Sequence, residues 1–279
     1  MVAYGEFRTG YNKDEQDTRI LVYGLRYILE NYVMRPWTAD DVEKADVFFK
    51  THLAPSHAAF PFPKDLYMKF VVENNGYFPV KIQALQDGTC VNAHVPVYQI
   101  TAEDEYAPLC TFLETLLTML WYPTTVATLS RRAREHLEAA FEVSADGGAA
   151  SPLVASRLHD FGFRGCASLE QSVLGGCAHL VNFDGTDTMS AAYYAQCEAR
   201  FHLNGGRPVG MSIPATEHSV MTCWPDERAA IYNMIEHFGT GCFATVVPLV
   251  AARKVAAGGF WVLRPDSGDP VEVVLQLQF

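Results

Sequence analysis

Hydrophobic spacing divides this chain into three stretches. In residues 17–32, Ile20, Val22, Tyr23, Leu25, Tyr27, Ile28, Leu29 and Tyr32 fit one face of an amphipathic helix despite Gly24. Ahead of it, Tyr4, Phe7 and Tyr11 allow a short edge strand within residues 1–13. Thr38 followed by Asp40 and Asp41 is an N-terminal helix signal, and that helix should run to about Thr51. Residues 55–63 are too rich in proline to be anything but loop. The helix predicted over 64–73 stops at Asn74-Asn75-Gly76, residues that tolerate left-handed backbone.

The spacing then changes. Residues 78–85 and 90–100 read as short strands around Gln86-Asp87-Gly88-Thr89, which predicts an antiparallel unit with Pro79 and Pro96 at strand edges or starts. Residues 106–121 form a largely apolar helix, buried on more than one face. Residues 122–128 lead into a helix over 130–143 that begins with Arg131, Arg132 and Arg134. A basic start opposes the helix dipole unless the arginines find partners, so they mark either a solvated face or a phosphate or interface contact. Residues 144–151, with Gly147-Gly148 and three alanines, are the most linker-like point, and divide the chain into 1–150, helical with antiparallel strands, and 151–279. Beyond 151, strand-like runs alternate with helix-like ones at 175–181, 190–199, 210–214, 228–238, 244–250 and 259–263. That alternation predicts α/β architecture with parallel strands and helical crossovers, whose ligand sites lie in loops after the strands. His159, Asp160, Asp187, His218 and Arg264 are all placed by this pattern in such loops.

Composition narrows the options. With 49% hydrophobic and 19% charged residues the chain is globular. A net charge of −11 argues against general affinity for nucleic acid or anionic membrane, so an anionic substrate needs a local cationic pocket, for which Arg164 and Arg264 are the candidates. Seven scattered cysteines without a CxxC pair give neither a disulfide framework nor a zinc site, and point to a reducing compartment. Residues 1–13 do not resemble a secretory signal. The longest apolar runs, such as 242–252, fall short of the roughly 20 residues that cross a bilayer. The expectation is a soluble, cytoplasmic protein.

Four segments carry candidate chemistry. His159-Asp160-Phe161-Gly162-Phe163-Arg164-Gly165 sets an aromatic beside an arginine between glycines. Phe183-Asp184-Gly185-Thr186-Asp187-Thr188 holds a carboxylate in a Gly-Thr turn, and Pro214-Ala215-Thr216-Glu217-His218-Ser219 ends an apolar run on a Glu-His pair. Arg264-Pro265-Asp266-Ser267-Gly268 supplies a cation, a carboxylate, a hydroxyl and flexible backbone. Together they suit a flat polar ring held beside a phosphorylated sugar. Taken singly, each has a plainer meaning: Phe161 a core side chain, Arg164 half of a surface ion pair, Asp187 a turn stabiliser, His218 a structural histidine.

These segments, with Trp121-Tyr122-Pro123-Thr124-Thr125-Val126-Ala127-Thr128-Leu129-Ser130 and His179-Leu180-Val181-Asn182, resemble the nicotinamide phosphoribosyltransferases of the type II phosphoribosyltransferase family. The resemblance runs in order from about Tyr4 to the C-terminus. It implies an irregular α/β barrel with an added β-containing domain, a homodimer, and a pentosyltransferase joining nicotinamide to phosphoribosyl pyrophosphate, with nicotinamide mononucleotide and pyrophosphate as products in NAD salvage. By position, Phe161 matches the aromatic that stacks on nicotinamide and Arg164 the arginine between that ring and the phosphates. Asp187 matches the acceptor of the carboxamide NH2, a carboxylate that would repel nicotinate. His218 matches the histidine that takes a phosphoryl group from ATP, supported by Glu217. Arg264, Asp266, Ser267 and Gly268 match ribose and phosphate contacts. Mg²⁺ is implied as the companion of the pyrophosphate.

The chain also departs from that pattern. It starts downstream of the family's Asp-Ser-Tyr-Lys run. Pro248-Leu249-Val250 replaces a Ser-Asp-Ser-Tyr-Asp segment, and Phe279 comes before the further barrel strands with their acidic ribose contact and glycine-rich phosphate loop. The expectation is therefore a partial barrel. It leaves two alternatives: a truncated, non-catalytic relative that binds ligand or pairs with a full-length subunit, and, more weakly, a nicotinate phosphoribosyltransferase, which Asp187 disfavours.

Overall fold

A computed structural model describes residues 1–52, 61–198, 208–245, 260–263, 269 and 271–272. The chain packs as two units, Met1–Met211 and Ser212–Phe279. The glycine- and alanine-rich stretch near residue 150 lies inside the first of them, where Gly148–Ala150 forms a 3-10 turn.

The first unit opens with strand β1 (Val2–Glu6), then β2 (Arg19–Leu21) and helix α1 (Leu25–Ile28), which continues as a π-helical turn over Leu29–Val33. The single helix expected over 17–32 is therefore half strand and half helix. Gly24 is the cause: its φ of 105° turns the chain sharply, and a Cβ there would lie 2.5 Å from the Pro123 side chain. Helix α2 (Ala39–His52) starts on a reciprocal cap, Thr38 N–H donating to the Asp41 carboxylate and Asp41 N–H to Thr38 Oγ. Helix α3 (Lys64–Glu73) ends where Asn75 and Gly76 take φ of 53° and 82°.

Strands β3 (Lys81–Ala84), β4 (Cys90–Asn92) and β5 (Pro96–Thr101) follow. The Asp-Gly turn does not make the expected hairpin, because β3 pairs with β5 and β4 with β2, all antiparallel. Asp87 instead accepts from Gly24 N–H, and Gly88 N–H donates to Val22 O, so the turn serves the long-range pairing. Strand β1 completes a three-stranded sheet in the order β1-β5-β3. Helix α4 (Pro108–Thr118) packs Cys110, Leu113 and Leu117 into a core with Val22, Leu25 and Ile100.

Helix α5 runs from Trp121 to Ser144, beginning well before the predicted residue 130. Pro123 falls in its first turn, where no backbone N–H is needed. The three arginines consequently sit mid-helix, away from the dipole end, and each has a partner. Arg131 bonds Asp17 and Glu135, Arg132 bonds Asp14, and Arg134 bonds Glu138 and Asn182 O. These intramolecular pairs are what offset the basic stretch within the first unit.

Helices α6 (Leu169–Leu180) and α7 (Met189–Tyr193) follow in this unit. Residues 175–181, expected as strand, belong to α6 as far as Leu180. Gly175 and Gly176 are there for close approach, since a Cβ on Gly176 would lie 2.3 Å from that of Ala191 and one on Gly175 2.6 Å from the Tyr122 hydroxyl. The parallel strand segments are minimal: Asp160 bridges Thr186, and Gly185 bridges Met211. In the second unit, α8 (His218–Met221) and α9 (Glu227–Phe238) precede parallel strands β6 (Cys242–Thr245) and β7 (Phe260–Leu263), and Ala215 bridges Ala244. Strand, helix, parallel strand recurs in both units, which makes the chain α/β. Among the described residues no helix is long and apolar enough to cross a membrane.

Candidate active site

Two loops meet in the first unit through the backbone of Asp160. Its N–H donates to Gly185 O at 3.2 Å, and its O accepts from Asp187 N–H at 2.8 Å. The Asp160 carboxylate accepts from Gly162 N–H at 2.7 Å, which folds the following residues into the 3-10 turn Gly162–Gly165. Gly162 is needed there, because a Cβ would lie 2.9 Å from that same carboxylate oxygen. Phe161 and Asp187, 26 positions apart, are thus anchored to one residue. On the second loop, Thr188 N–H donates to Thr186 Oγ, and both threonines are buried.

His159 connects the two side chains. Its Nδ1 lies 3.4 Å from Asp187 Oδ2, and its ring stacks on Phe161 at 6.2 Å between centroids and 29° between planes. Phe161 remains 53% exposed, enough aromatic surface to receive a second flat ring. Arg164 is exposed on the same turn. The candidate stacking ring, cation and amide acceptor are therefore all placed by two loops of the first unit.

A cleft of about 360 Å³ is lined among others by His159, Phe161, Gly162, Gly176, His179 and Thr188, with Arg164 and Asp187 outside its lining. That volume falls among small-ligand sites. A hollow of about 440 Å³ lined by residues of β1, β5 and α4 holds none of these groups. Beneath the cleft, His179 is buried between Ser130 Oγ, 3.2 Å from Nδ1, and Gly185 O, 2.9 Å from Nε2. A carbonyl can only accept, so Nε2 carries the proton and Ser130 donates to Nδ1. Burial pushes the His179 pKa down and favours this neutral form. His179 thereby holds the loop that carries Asp187, a role the sequence reading missed by taking 175–181 as strand. The helical repeat was there to be seen: Ser172, Gly176 and His179 lie at spacings of four and three, one face of α6.

In the second unit, Glu217 caps α8, its carboxylate accepting from Ser219 N–H at 2.8 Å and Val220 N–H at 3.3 Å, and also from the Ser219 hydroxyl. The Ser219 hydroxyl, together with those backbone amides, holds the Glu217 carboxyl below the usual range. Its other oxygen lies 3.0 Å from His218 Nδ1. With Nδ1 donating there, the lone pair of an exposed imidazole sits on Nε2. Arg264, Asp266, Ser267 and Gly268 lie outside the described residues. Among the described residues no three His, Cys, Asp or Glu side chains are placed to hold a metal ion.

Residues 156–278 match the Nicotinate phosphoribosyltransferase (NAPRTase) family. The chain is 36% identical over 274 residues to the nicotinamide phosphoribosyltransferase of Xanthomonas campestris pv. campestris, covering 91% of this chain and 56% of that protein. It is 30% identical over 291 aligned positions to the nicotinamide phosphoribosyltransferase of Acinetobacter baylyi, covering 92% and 55%. The chain thus spans about half the length of these relatives. The crystal structure of human nicotinic acid phosphoribosyltransferase superposes with a TM-score of 0.59 over 99% of this chain and 58% of that one, at 18% identity, a likeness of fold.

Proposed function

We propose that this chain, which matches the nicotinate phosphoribosyltransferase family over residues 156–278, transfers the phosphoribosyl group of phosphoribosyl pyrophosphate to nicotinamide, giving nicotinamide mononucleotide and pyrophosphate. The observation that carries this reading is the side-chain triad His159, Phe161 and Asp187, an aromatic face beside an oriented carboxylate. Nicotinamide presents to it a flat ring and a carboxamide whose NH2 can donate to Asp187. Nicotinate would set a second carboxylate against the first. The names of the two bacterial relatives point the same way.

Glycosyl transfer then requires no protein nucleophile. Pyrophosphate departs with its negative charge balanced by Mg²⁺, which enters as part of the substrate, and by Arg164; the pyridine nitrogen attacks the cationic ribose carbon. Arg264, Asp266, Ser267 and Gly268 are proposed ribose and phosphate contacts on the strength of the resemblance alone. His218, with Nδ1 engaged by Glu217, is proposed to accept a phosphoryl group from ATP at Nε2. A homodimer in the cytoplasm is part of the same proposal.

The test is product formation. Purified protein supplied with nicotinamide, phosphoribosyl pyrophosphate, Mg²⁺ and ATP should yield nicotinamide mononucleotide, and far less product with nicotinate. Preferential turnover of nicotinate would overturn the reading. Nicotinamide binding without product would support instead a binding relative that pairs with a complete subunit.

A further inference from the structure

We propose that His159 positions Asp187 for the carboxamide and so sets the preference for amide over acid; this deepens the function proposed above and rests on it. Three contacts hold the imidazole. The Asp187 carboxylate lies 3.4 Å from Nδ1 at one edge, and Phe161 stacks on the face. On the Gly185 side the ring is so close that a Cβ added there would lie 2.6 Å from Cδ2 and 2.8 Å from Nε2. The spacing between the two loops is set independently by the Asp160 backbone bonds to Gly185 and Asp187.

A carboxylate only accepts, so His159 donates from Nδ1, and the bond is a restraint on the plane in which Asp187 presents itself. A carboxylate in a fixed plane both accepts from a carboxamide and opposes a second carboxylate. One that can rotate away does each less well. Loss of the His159 donor should therefore narrow the preference from both ends, weakening nicotinamide and admitting nicotinate. His159 acts through Asp187 and is a positioning residue.

Gly185 offers a way to move the ring without removing it. Its φ is not among the positive ones, so alanine suits the backbone, and the methyl would meet His159 first. The experiment measures binding of nicotinamide, nicotinate and phosphoribosyl pyrophosphate to the wild-type chain, His159→Ala, His159→Asn, Gly185→Ala, and His159→Ala combined with Gly185→Ala. His159→Ala should weaken nicotinamide and narrow its advantage over nicotinate by about 10-fold, while phosphoribosyl pyrophosphate binding changes by less than about 2-fold. Asparagine, whose amide nitrogen falls near the place of Nδ1, should restore most of the preference. Gly185→Ala should resemble His159→Ala, and the double variant should be no worse than His159→Ala alone, because the small side chain leaves room for the methyl. An unchanged preference in His159→Ala, failure of asparagine to restore it, or additive losses in the double variant would overturn the proposal. A wild-type chain that binds neither pyridine would overturn the site reading itself.

Discussion

The loops around Asp160 and the Glu217-His218 pair are both candidate parts of one reaction, yet they are held in opposite ways. Phe161 and Asp187 are placed by hydrogen bonds that span 25 to 28 positions, with a buried histidine behind them. Glu217 and His218 are neighbours, and every bond that orients them lies within the first turn of α8. The first arrangement exists only when the parallel strand segments have formed. The second is a helix cap with an exposed imidazole, suited to a group that gains and loses a phosphoryl load.

The comparison breaks most sharply at His218. If the imidazole acts alone on its cap, His218→Ala should abolish stimulation by ATP while nicotinamide mononucleotide still forms at the basal rate. Unchanged stimulation would remove His218 from the coupling role.

Asp187 is the counterpart in the long-range site. Replacing it with alanine should weaken nicotinamide by about 10- to 100-fold, the worth of a charge-assisted hydrogen bond, and leave phosphoribosyl pyrophosphate nearly untouched. Titrations of both ligands decide the matter, since equal losses would mean a general collapse of the loops.

Next in size is a change of packing. Gly176 brings α6 within contact of α7, and Gly176→Ala should cost about 1–3 kcal/mol of stability through overpacking. The thermal midpoint should fall accordingly, and an unchanged midpoint would show that α6 and α7 are not packed so closely.

What the sequence revealed follows the same division between local and distant. Thr38 with Asp41 and the stop at Asn75-Gly76 were legible because the residues that cap a helix lie within one turn of its end. Glu217 beside His218 was legible as a pair because the two are adjacent, although its role as a helix cap was not. Gly24 was not, because its reason is Pro123, 99 positions away. The Asp87-Gly88 turn looked like a hairpin since nothing local announces that Asp87 caps Gly24. The run over 175–181 looked like a strand because two glycines weaken the helix pattern, and only α7 and Tyr122 explain them. The site segments around Phe161, Asp187 and His218 were found from their residue types and their place after strand-like runs, and given roles by resemblance, whereas the supports behind them, Ser130 and His179, came from packing.

His179 gives the smallest expected effect and the cleanest test of long-range support. In the folded chain its imidazole is buried, donates from Nε2 to Gly185 O and accepts from Ser130, so burial holds its pKa below that of a free histidine. In the unfolded chain it titrates near the ordinary value of about 6.5. As pH falls through that value, the unfolded chain takes up a proton that the folded chain refuses, and the folded state loses stability. For one such group the loss between pH 7 and pH 6 has an upper limit of about 0.7 kcal/mol. His179→Gln keeps a side-chain donor for Gly185 O and cannot titrate, so the difference in urea midpoint between those two pH values should shrink. If wild type and His179→Gln show the same pH dependence, the histidine is not held neutral behind the Asp187 loop, and the contrast between a site fixed from within and one mounted on a cap fails.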